Sequence, residues 1–154
     1  MDLLDFEGNQ LGEWSRELVL TGKASSRLDH LPLDTIFKDA APNRSLLRVR
    51  LMEGDMDLSE TLVYFLPPKD LQLPEDPGIS LEVVEKEGLY NVYVRAENLA
   101  KNVYLQWEDT PGFFSDNFFD VMAGEEIRIV FTPKDKRRKP DTNKLKVISL
   151  AQIK

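Results

Sequence analysis

Residues that could carry out acid–base, nucleophilic or metal chemistry occur in this sequence, but their types and spacing do not form a recognisable centre. His30 is the only histidine and there is no cysteine, so a zinc site would have only carboxylates to complete it. No Gly-x-Ser-x-Gly elbow is present, and Gly22-Lys23 lacks the remainder of a phosphate-binding loop. We therefore predict no catalytic residue, no metal site and no cofactor, and we expect His30 to be structural or exposed.

The carboxylates deserve separate consideration, because glycoside hydrolysis needs only two of them set across a pocket. Four candidates fall at predicted turns, where solvation offers nothing that would make one of them a general acid. They are Asp55, Asp57, Glu125 and Glu126. The segment Gly54–Asp57 also lacks the acidic positions and closing glutamate of a calcium loop. We interpret these carboxylates as solvated surface groups.

Six aromatic residues could form a platform on which a sugar stacks, namely Trp14, Trp107, Phe113, Phe114, Phe118 and Phe119. Three of them, Trp107, Phe113 and Phe114, are the candidates for contact with a sugar. Trp107 ends a predicted strand at an inward position, so we interpret it as a residue of the sandwich core rather than a sugar contact. Phe113 and Phe114 are adjacent and point to opposite faces of an extended segment. We expect one of these two rings to be buried and the other to be available to a partner or ligand.

The distribution of charge limits the function further. The chain has a net charge of −7, with 15 acidic against 8 basic residues up to residue 77 and 12 against 12 from residue 78 onward. Nucleic-acid binding requires a basic face, so we predict no nucleic-acid partner. One basic cluster follows Pro133, and we interpret it as a solvated hairpin tip rather than a polyanion site. Its members are Lys134, Lys136, Arg137, Arg138 and Lys139.

No apolar run approaches the about 20 residues that a membrane-spanning helix needs, so we predict no membrane segment. The first five residues have neither the basic nor the apolar region of a signal peptide. The sequence therefore carries no address of its own.

Alternation of apolar and polar residues predicts an all-β fold. The clearest runs have apolar residues at every second position, as a half-buried strand requires. They lie at Leu47–Leu51, Tyr90–Ala96, Val103–Trp107, Ile127–Phe131 and Leu145–Ile153, the last with Val147, Ser149, Ala151 and Ile153 on one face. Turn residues separate the runs, among them Glu7-Gly8-Asn9, and this spacing is typical of a sandwich or barrel. The one helical candidate, Leu33–Phe37 after Pro32, is about one turn long.

A proline-rich segment divides the chain. Residues 66–78 contain four prolines, and proline cannot donate to a strand ladder. We interpret the segment as a stiff connector, with Leu71 and Leu73 anchoring it. The predicted domains are residues 1–73, ending in this connector, and residues 74–154.

Residues 115–119 can be interpreted from their side chains alone. Ser115, Asp116 and Asn117 have short polar side chains that bond to nearby backbone and stabilise irregular turns. We expect Phe118 and Phe119 to return the chain to the core. We therefore predict a structural motif rather than a ligand site, formed by Ser115, Asp116, Asn117 and Phe119.

Two segments resemble a known family. The run from Leu89 to Glu125, with Ala96-x-x-Leu99-Ala100 followed by Phe114-Ser115-Asp116-Asn117-x-Phe119-Asp120, resembles the C-terminal immunoglobulin-like domain of bacterial β-mannosidases, of the β-galactosidase/β-glucuronidase-type clan. Upstream, Leu62–Leu71 with Pro67-Pro68-Lys69-Asp70-Leu71 resembles the end of the preceding sandwich domain, and Leu4–Asn9 resembles its hairpin. The resemblance implies an immunoglobulin-like antiparallel β-sandwich, preceded by a partial second sandwich.

The resemblance also implies a function. The parent enzyme would remove terminal β-linked mannose with retention, using two glutamates about 5–5.5 Å apart. In the family these lie on an upstream (β/α)₈ barrel of about 250 residues, so neither can be assigned here. We expect the chain to be a C-terminal fragment, or the end of a broken gene, whose non-catalytic domains brace the barrel.

Two alternatives remain open. One is a carbohydrate-binding module that uses Trp107, Phe113 or Phe114 on mannose-containing oligosaccharides. The other is a protein-interaction module that uses a sheet edge. The expected partners are the barrel and upstream domains of the parent, with a homodimer contact as a further option. The expected compartment is the cytoplasm or periplasm of a bacterium.

Overall fold

The computed structural model describes residues 1–19, 30–38, 40–135, 137 and 139–153. Eleven strands and one short helix lie in these ranges. The strands are β1 (Asp2–Asp5), β2 (Gln10–Glu13), β3 (Ser45–Glu53), β4 (Met56–Tyr64), β5 (Ser80–Lys86), β6 (Leu89–Arg95), β7 (Ala100–Trp107), β8 (Gly112–Phe114), β9 (Phe119–Val121), β10 (Glu126–Pro133) and β11 (Leu145–Ile148). The helix α1 (Leu33–Ile36) is one turn long, as predicted, and 3₁₀ turns lie at Pro68–Asp70, Thr142–Lys144 and Leu150–Gln152.

Contacts divide the chain into two compact units. The first comprises Met1–Asp5 and Asn9–Gln72, and the second comprises Phe6–Gly8 and Leu73–Lys154. This division does not test the domain ranges predicted from the sequence, so the boundary after residue 73 stays a prediction.

The first unit is built on one antiparallel sheet with the order β2-β1-β3-β4. The predicted hairpin at residues 7–9 joins β1 to β2, with Leu3 opposite Gly12. Leu3, Ile36 and Leu47 form the core on one face, and Trp14 and Phe65 pack against it. The carboxylate of Asp2 is held by the guanidinium of Arg50 at 3.0 Å.

The β3–β4 hairpin extends beyond the end of β1, the other neighbour of β3 in this sheet. β1 pairs only with Ser45–Arg48 of β3, whereas β4 pairs with β3 as far as Glu53. Leu47 is therefore buried but Leu51, which the alternation places on the same face, is exposed. The period of two predicted β3 correctly, but it could not indicate where its neighbour β1 ends.

The second unit contains two antiparallel sheets, with the orders β5-β6-β10-β8 and β11-β7-β9. Every residue predicted to face inward from Tyr90–Ala96 and Val103–Trp107 is buried. Ile129 and Phe131 of β10 complete the core, with Val121 of β9. The all-β prediction is confirmed by the antiparallel sheets of both units.

The prediction for the last strand is wrong in its length. β11 ends at Ile148, and Leu150–Gln152 form a 3₁₀ turn instead of continuing the strand. The backbone N–H of Ser149 donates to Oε1 of Gln152 at 2.9 Å, and the Ser149 hydroxyl lies 3.2 Å from the same oxygen. A serine followed three residues later by glutamine is a helix-start signal, and this local bonding overrides the strand pattern.

The connector follows its proline content. Pro68–Asp70 form a 3₁₀ turn in which the N–H of Asp70 donates to Pro67 O. Leu71 and Leu73 are half-buried. Gly78 has a φ of 64°, and its N–H donates to Oδ1 of Asp76 at 3.0 Å. None of the described helices has the length and apolar character required to cross a membrane.

Candidate interaction surface

Two of the three predicted sugar-contacting rings belong to the core of the second unit. Trp107 is 5% exposed and its indole N–H donates to the carbonyl of Asp141 at 2.8 Å. Its ring centroid lies 4.8 Å from that of Phe131, and Phe114 lies at the same distance from Phe131 on another side. Tyr90 meets Trp107 edge-on at 5.5 Å. These rings fill the space between the two sheets, so Trp107 and Phe114 are placed where they stabilise the fold.

Phe113 is the predicted ring that remains accessible. It is 65% exposed, whereas its neighbour Phe114 packs against the core, as the opposite facing of adjacent residues predicts. The ammonium of Lys134 lies 5.5 Å from the centroid of the Phe113 ring. This is within the range of a cation–π contact, so one face of the ring is in part occupied.

The motif residues Ser115 and Asp116 bond to backbone. The hydroxyl of Ser115 accepts from the N–H of Val130 at 2.9 Å, while the Ser115 N–H donates to Val130 O at 2.8 Å. Oδ1 of Asp116 accepts from the N–H of Asn117 at 2.7 Å. These bonds fasten the segment after β8 to the neighbouring strand β10.

Asn117 acts in place of a strand. Its Oδ1 accepts from the Leu105 N–H at 2.7 Å, and its Nδ2 donates to the Leu105 carbonyl at 3.0 Å. β9 pairs with β7 only at Ala100 and Val103, so Leu105 lies beyond the end of that pairing. The amide side chain thus satisfies both backbone groups of Leu105, a buried residue. Leaving these groups unpaired would cost stability.

Asp120, which follows Phe118 in the chain, stabilises an irregularity in β7. The pairing of β7 with β9 shifts between Ala100 and Val103, and Asn102 has a φ of 50° there. Oδ1 of Asp120 accepts from the Asn102 N–H at 2.7 Å, and Oδ2 lies 3.2 Å from Nζ of Lys101. The bulge and the carboxylate therefore stabilise each other.

Phe118 does not return to the core as predicted. It has a φ of 64° and is 65% exposed, whereas Phe119 packs against the core. The N–H of Phe118 donates to the carbonyl of Val103 at 2.8 Å. With this left-handed backbone, Phe118 points outward while Phe119 points inward. The sequence indicates that two adjacent rings face opposite ways, but it does not indicate the positive φ of Phe118.

Phe118 is part of an apolar area on the sheet of β11, β7 and β9, which we call the Phe118 surface. The ring lies 5.2 Å from that of Tyr104, with the two planes 31° apart. Tyr104 is paired with Ile148 of β11. An open depression of about 310 Å³ lies here. Its lining residues, which define the Phe118 surface, are Asn102, Tyr104, Phe118, Ile148, Leu150 and Ile153.

Sequence reasoning missed this surface. Tyr104 and Ile148 occupy the positions that alternation assigns to the outer face, and each is apolar there. Leu150 and Ile153 are brought in by the 3₁₀ turn, which was predicted as strand. Apolar residues at outward strand positions were the available signal.

Among the acidic residues of the described ranges, only Asp2 is buried. No group of three or more histidine, cysteine or acidic residues in the described part of the chain lies where it could hold a metal ion. His30 is exposed. In the basic cluster, Lys139 pairs with Glu85 at 3.2 Å and Arg137 pairs with Asp135 at 3.0 Å. Lys136 and Arg138 lie outside the described residues.

One buried group has a displaced pKa. Burial of the Tyr90 side chain raises the pKa of its phenol above the ordinary 10.0, and the nearby charge of Glu85 adds to the rise, while Lys139 opposes it. The cause is structural, because the ring belongs to the core cluster with Trp107.

Comparison with known proteins identifies the two parts of the chain. A mannosidase Ig-fold domain model matches residues 74–153, just over half of the chain. The chain belongs to the mannosidase Ig-fold domain family. A second model, for a mannosidase Ig/CBM-like domain, matches residues 1–70. The predicted resemblance to the immunoglobulin-like region of mannosidases and the sandwich fold class are thereby confirmed.

A solved structure supports the fold of this mannosidase Ig-fold chain. The crystal structure of a β-D-mannosidase from Dictyoglomus thermophilum matches with a TM-score of 0.69 and 22% sequence identity. The match covers 96% of this chain but only 18% of that one. The chain thus spans less than a fifth of the length of that mannosidase. No curated protein shows a significant match.

Proposed function

We propose that this chain is a non-catalytic accessory region of a β-mannosidase, and that it braces the catalytic barrel of that enzyme. The observation that carries the proposal is that two mannosidase-type domain models together account for residues 1–70 and 74–153. The parent enzyme would hydrolyse terminal non-reducing β-D-mannose residues with retention, as glycosidases with two closely spaced carboxylates do.

The polar groups of the chain are consistent with this role. A retaining glycosidase needs two carboxyl groups about 5–5.5 Å apart, with one pKa raised by its environment. The depression of the Phe118 surface has no carboxylate among its lining residues. Asp120 and Asn117, which lie closest to it in sequence, bind backbone N–H groups of β7 instead.

The test uses hydrolysis of 4-nitrophenyl β-D-mannopyranoside. We expect the purified chain to release no nitrophenol above a buffer blank. We expect the complete polypeptide that contains it to hydrolyse the substrate and to release β-mannose first, as NMR of the first-formed anomer would report. Activity that stays with the isolated chain through purification would contradict the proposal.

A second candidate function is carbohydrate binding. Exposure of the Phe113 ring favours it, because sugars stack on accessible aromatic faces, and the model matching residues 1–70 is described as CBM-like. The test is titration of the ¹⁵N-labelled chain with mannose and manno-oligosaccharides. Shifts of the Phe113 and Lys134 resonances at millimolar sugar would support this function, and unchanged spectra would reject it.

A further inference from the structure

The conformation of Phe118 is difficult to explain by the stability of the fold alone. Its φ of 64° is a conformation that bulky side chains rarely adopt, and its ring is 65% exposed. A smaller residue, such as asparagine or glycine, would suit this backbone better. Strained residues of this kind concentrate at functional positions.

The backbone around Phe118 is held firmly on both sides. Asn117 makes two hydrogen bonds to Leu105, and Asp120 bonds to the Asn102 N–H. The Phe118 N–H itself bonds to Val103 O. The backbone that carries the ring is thus fixed before any partner arrives, which lowers the entropic cost of binding.

The chemistry of the Phe118 surface favours a protein over a sugar. Three of its lining residues are aliphatic, namely Ile148, Leu150 and Ile153, and only the Asn102 amide and the Tyr104 hydroxyl are polar side-chain groups. Sugar hydroxyls placed against aliphatic side chains would lose water without gaining hydrogen bonds. On β7 and β11 the next outward pair is Gln106 with Lys146. An apolar centre beside polar side chains is typical of a protein interface.

The size of the surface indicates which kind of protein contact it can support. Six residues line the depression. A stable interface between separate molecules buries about 800 Å² and 20–30 residues on each side. A smaller contact suffices between domains of one polypeptide, because tethering raises their effective concentration. The similar mannosidase has most of its length outside the matched part, since this chain covers 18% of it.

We propose that the Phe118 surface docks against an apolar surface of the catalytic part of the same mannosidase polypeptide. This inference rests on the proposed function and adds the contact through which the bracing would act. Phe118 is the central contact residue, with Tyr104 and Ile148 beside it.

The test is hydroxyl-radical footprinting of the isolated chain and of the complete mannosidase polypeptide. Phe113 is the matched internal control, because its ring is also 65% exposed. We expect oxidation of Phe118 to fall about fivefold in the complete polypeptide, since residues at the centre of an interface are almost fully buried. Oxidation of Phe113 should be equal in the two samples. Equal oxidation of Phe118 in the two samples overturns the proposal.

Two further outcomes separate this inference from its alternatives. Protection of Phe118 in the isolated chain that increases with chain concentration would identify a second copy as the occupant and overturn the proposal. Mannosidase activity of the complete polypeptide is measured on the same samples. An active polypeptide with unprotected Phe118 rejects the docking surface alone, whereas an inactive polypeptide rejects the proposed function.

A pair of variants tests whether the contact has an effect. Ile148→Ser changes the Phe118 surface, and Val84→Ser on β5 is the control, since these side chains are 41% and 43% exposed. We expect Ile148→Ser to shorten the half-life of the complete enzyme at elevated temperature about fivefold relative to Val84→Ser. Equal half-lives would contradict a bracing contact here.

Discussion

At the scale of single residues, the chain uses side-chain amides and carboxylates to complete its backbone hydrogen bonding. Asn117 bonds to both backbone groups of Leu105, and Asp120 bonds to the N–H of Asn102. For Asn117, the sequence alone already predicted bonding to nearby backbone. In this structure both residues satisfy backbone groups that strand pairing leaves open, so their value lies in the shape of the surface that they support.

The first prediction concerns Asn117→Asp. The variant keeps the acceptor for the Leu105 N–H but loses the donor to the Leu105 carbonyl, and it places a charge beside that carbonyl. We expect the free energy of unfolding to fall by about 2 kcal/mol, because a partly buried carbonyl loses its partner. The urea midpoint, measured at unchanged m-value, checks this. Asn91→Asp on β6 is the control and should change the midpoint much less, and equal effects would contradict the assigned role of Asn117.

The second prediction concerns the pH dependence caused by Tyr90. The pKa of the buried phenol is raised above 10.0, so the folded state holds its proton to higher pH than the unfolded state does. Stability from this group is therefore complete below pH 10 and decreases as the pH rises from there through the folded pKa. We expect Tyr90→Phe to remove this part of the decrease. Urea unfolding of both proteins at pH 8 and above pH 10 measures it, and parallel losses would contradict burial as the cause.

At the scale of elements, alternation predicted the two central strands β6 and β7 of the second unit. Tyr90–Ala96 and Val103–Trp107 lie with the predicted faces inward, because the core of a sandwich enforces the period of two. The predictions that failed concern positions where local bonding decides. Ser149 and Gln152 convert the end of the last strand into a turn, and the left-handed φ of Phe118 directs its ring outward.

The candidate site was less predictable than the strands for the same reason. The sequence correctly predicted that Phe113 and Phe114 face opposite ways, because Phe113 is exposed and Phe114 packs against the core. The Phe118 surface combines outward residues of β7 and β11 with residues of a 3₁₀ turn, so it depends on register and on the turn. Alternation indicates which face of a strand a residue occupies, but it indicates neither the register between two strands nor a 3₁₀ turn.

The third prediction tests the turn that ends β11. Gln152→Ala removes the acceptor for the N–H and hydroxyl of Ser149, a residue with no exposed surface. We expect a loss of about 1 kcal/mol, typical of a missing cap, and a lower thermal midpoint. Gln152→Glu retains an acceptor and should restore most of the stability. Gln106→Ala, an exposed glutamine on β7, is the control, and an equal loss there would contradict the capping role.

At the scale of the whole molecule, the chain combines a fully packed core with an apolar area that its own fold does not cover. Trp107 and Phe114 each contact Phe131 inside the second unit, whereas Phe118 and Tyr104 meet on its outside. Both clusters are aromatic, but only the inner one contributes the large burial that stabilises a domain. The two clusters should therefore respond oppositely to the removal of a ring.

The fourth prediction compares these clusters through the stability of the isolated chain. Phe118→Asn relieves the strain of the left-handed backbone, about 1–2 kcal/mol, and loses a ring contact of about 0.5–1.5 kcal/mol. We expect its stability to be unchanged or slightly higher, whereas Phe131→Ala should lose about 3–5 kcal/mol. Thermal and urea unfolding of both variants measure this. A large loss for Phe118→Asn would show that the exposed ring supports the fold itself. An unchanged midpoint would show that the fold of the isolated chain does not depend on the Phe118 ring.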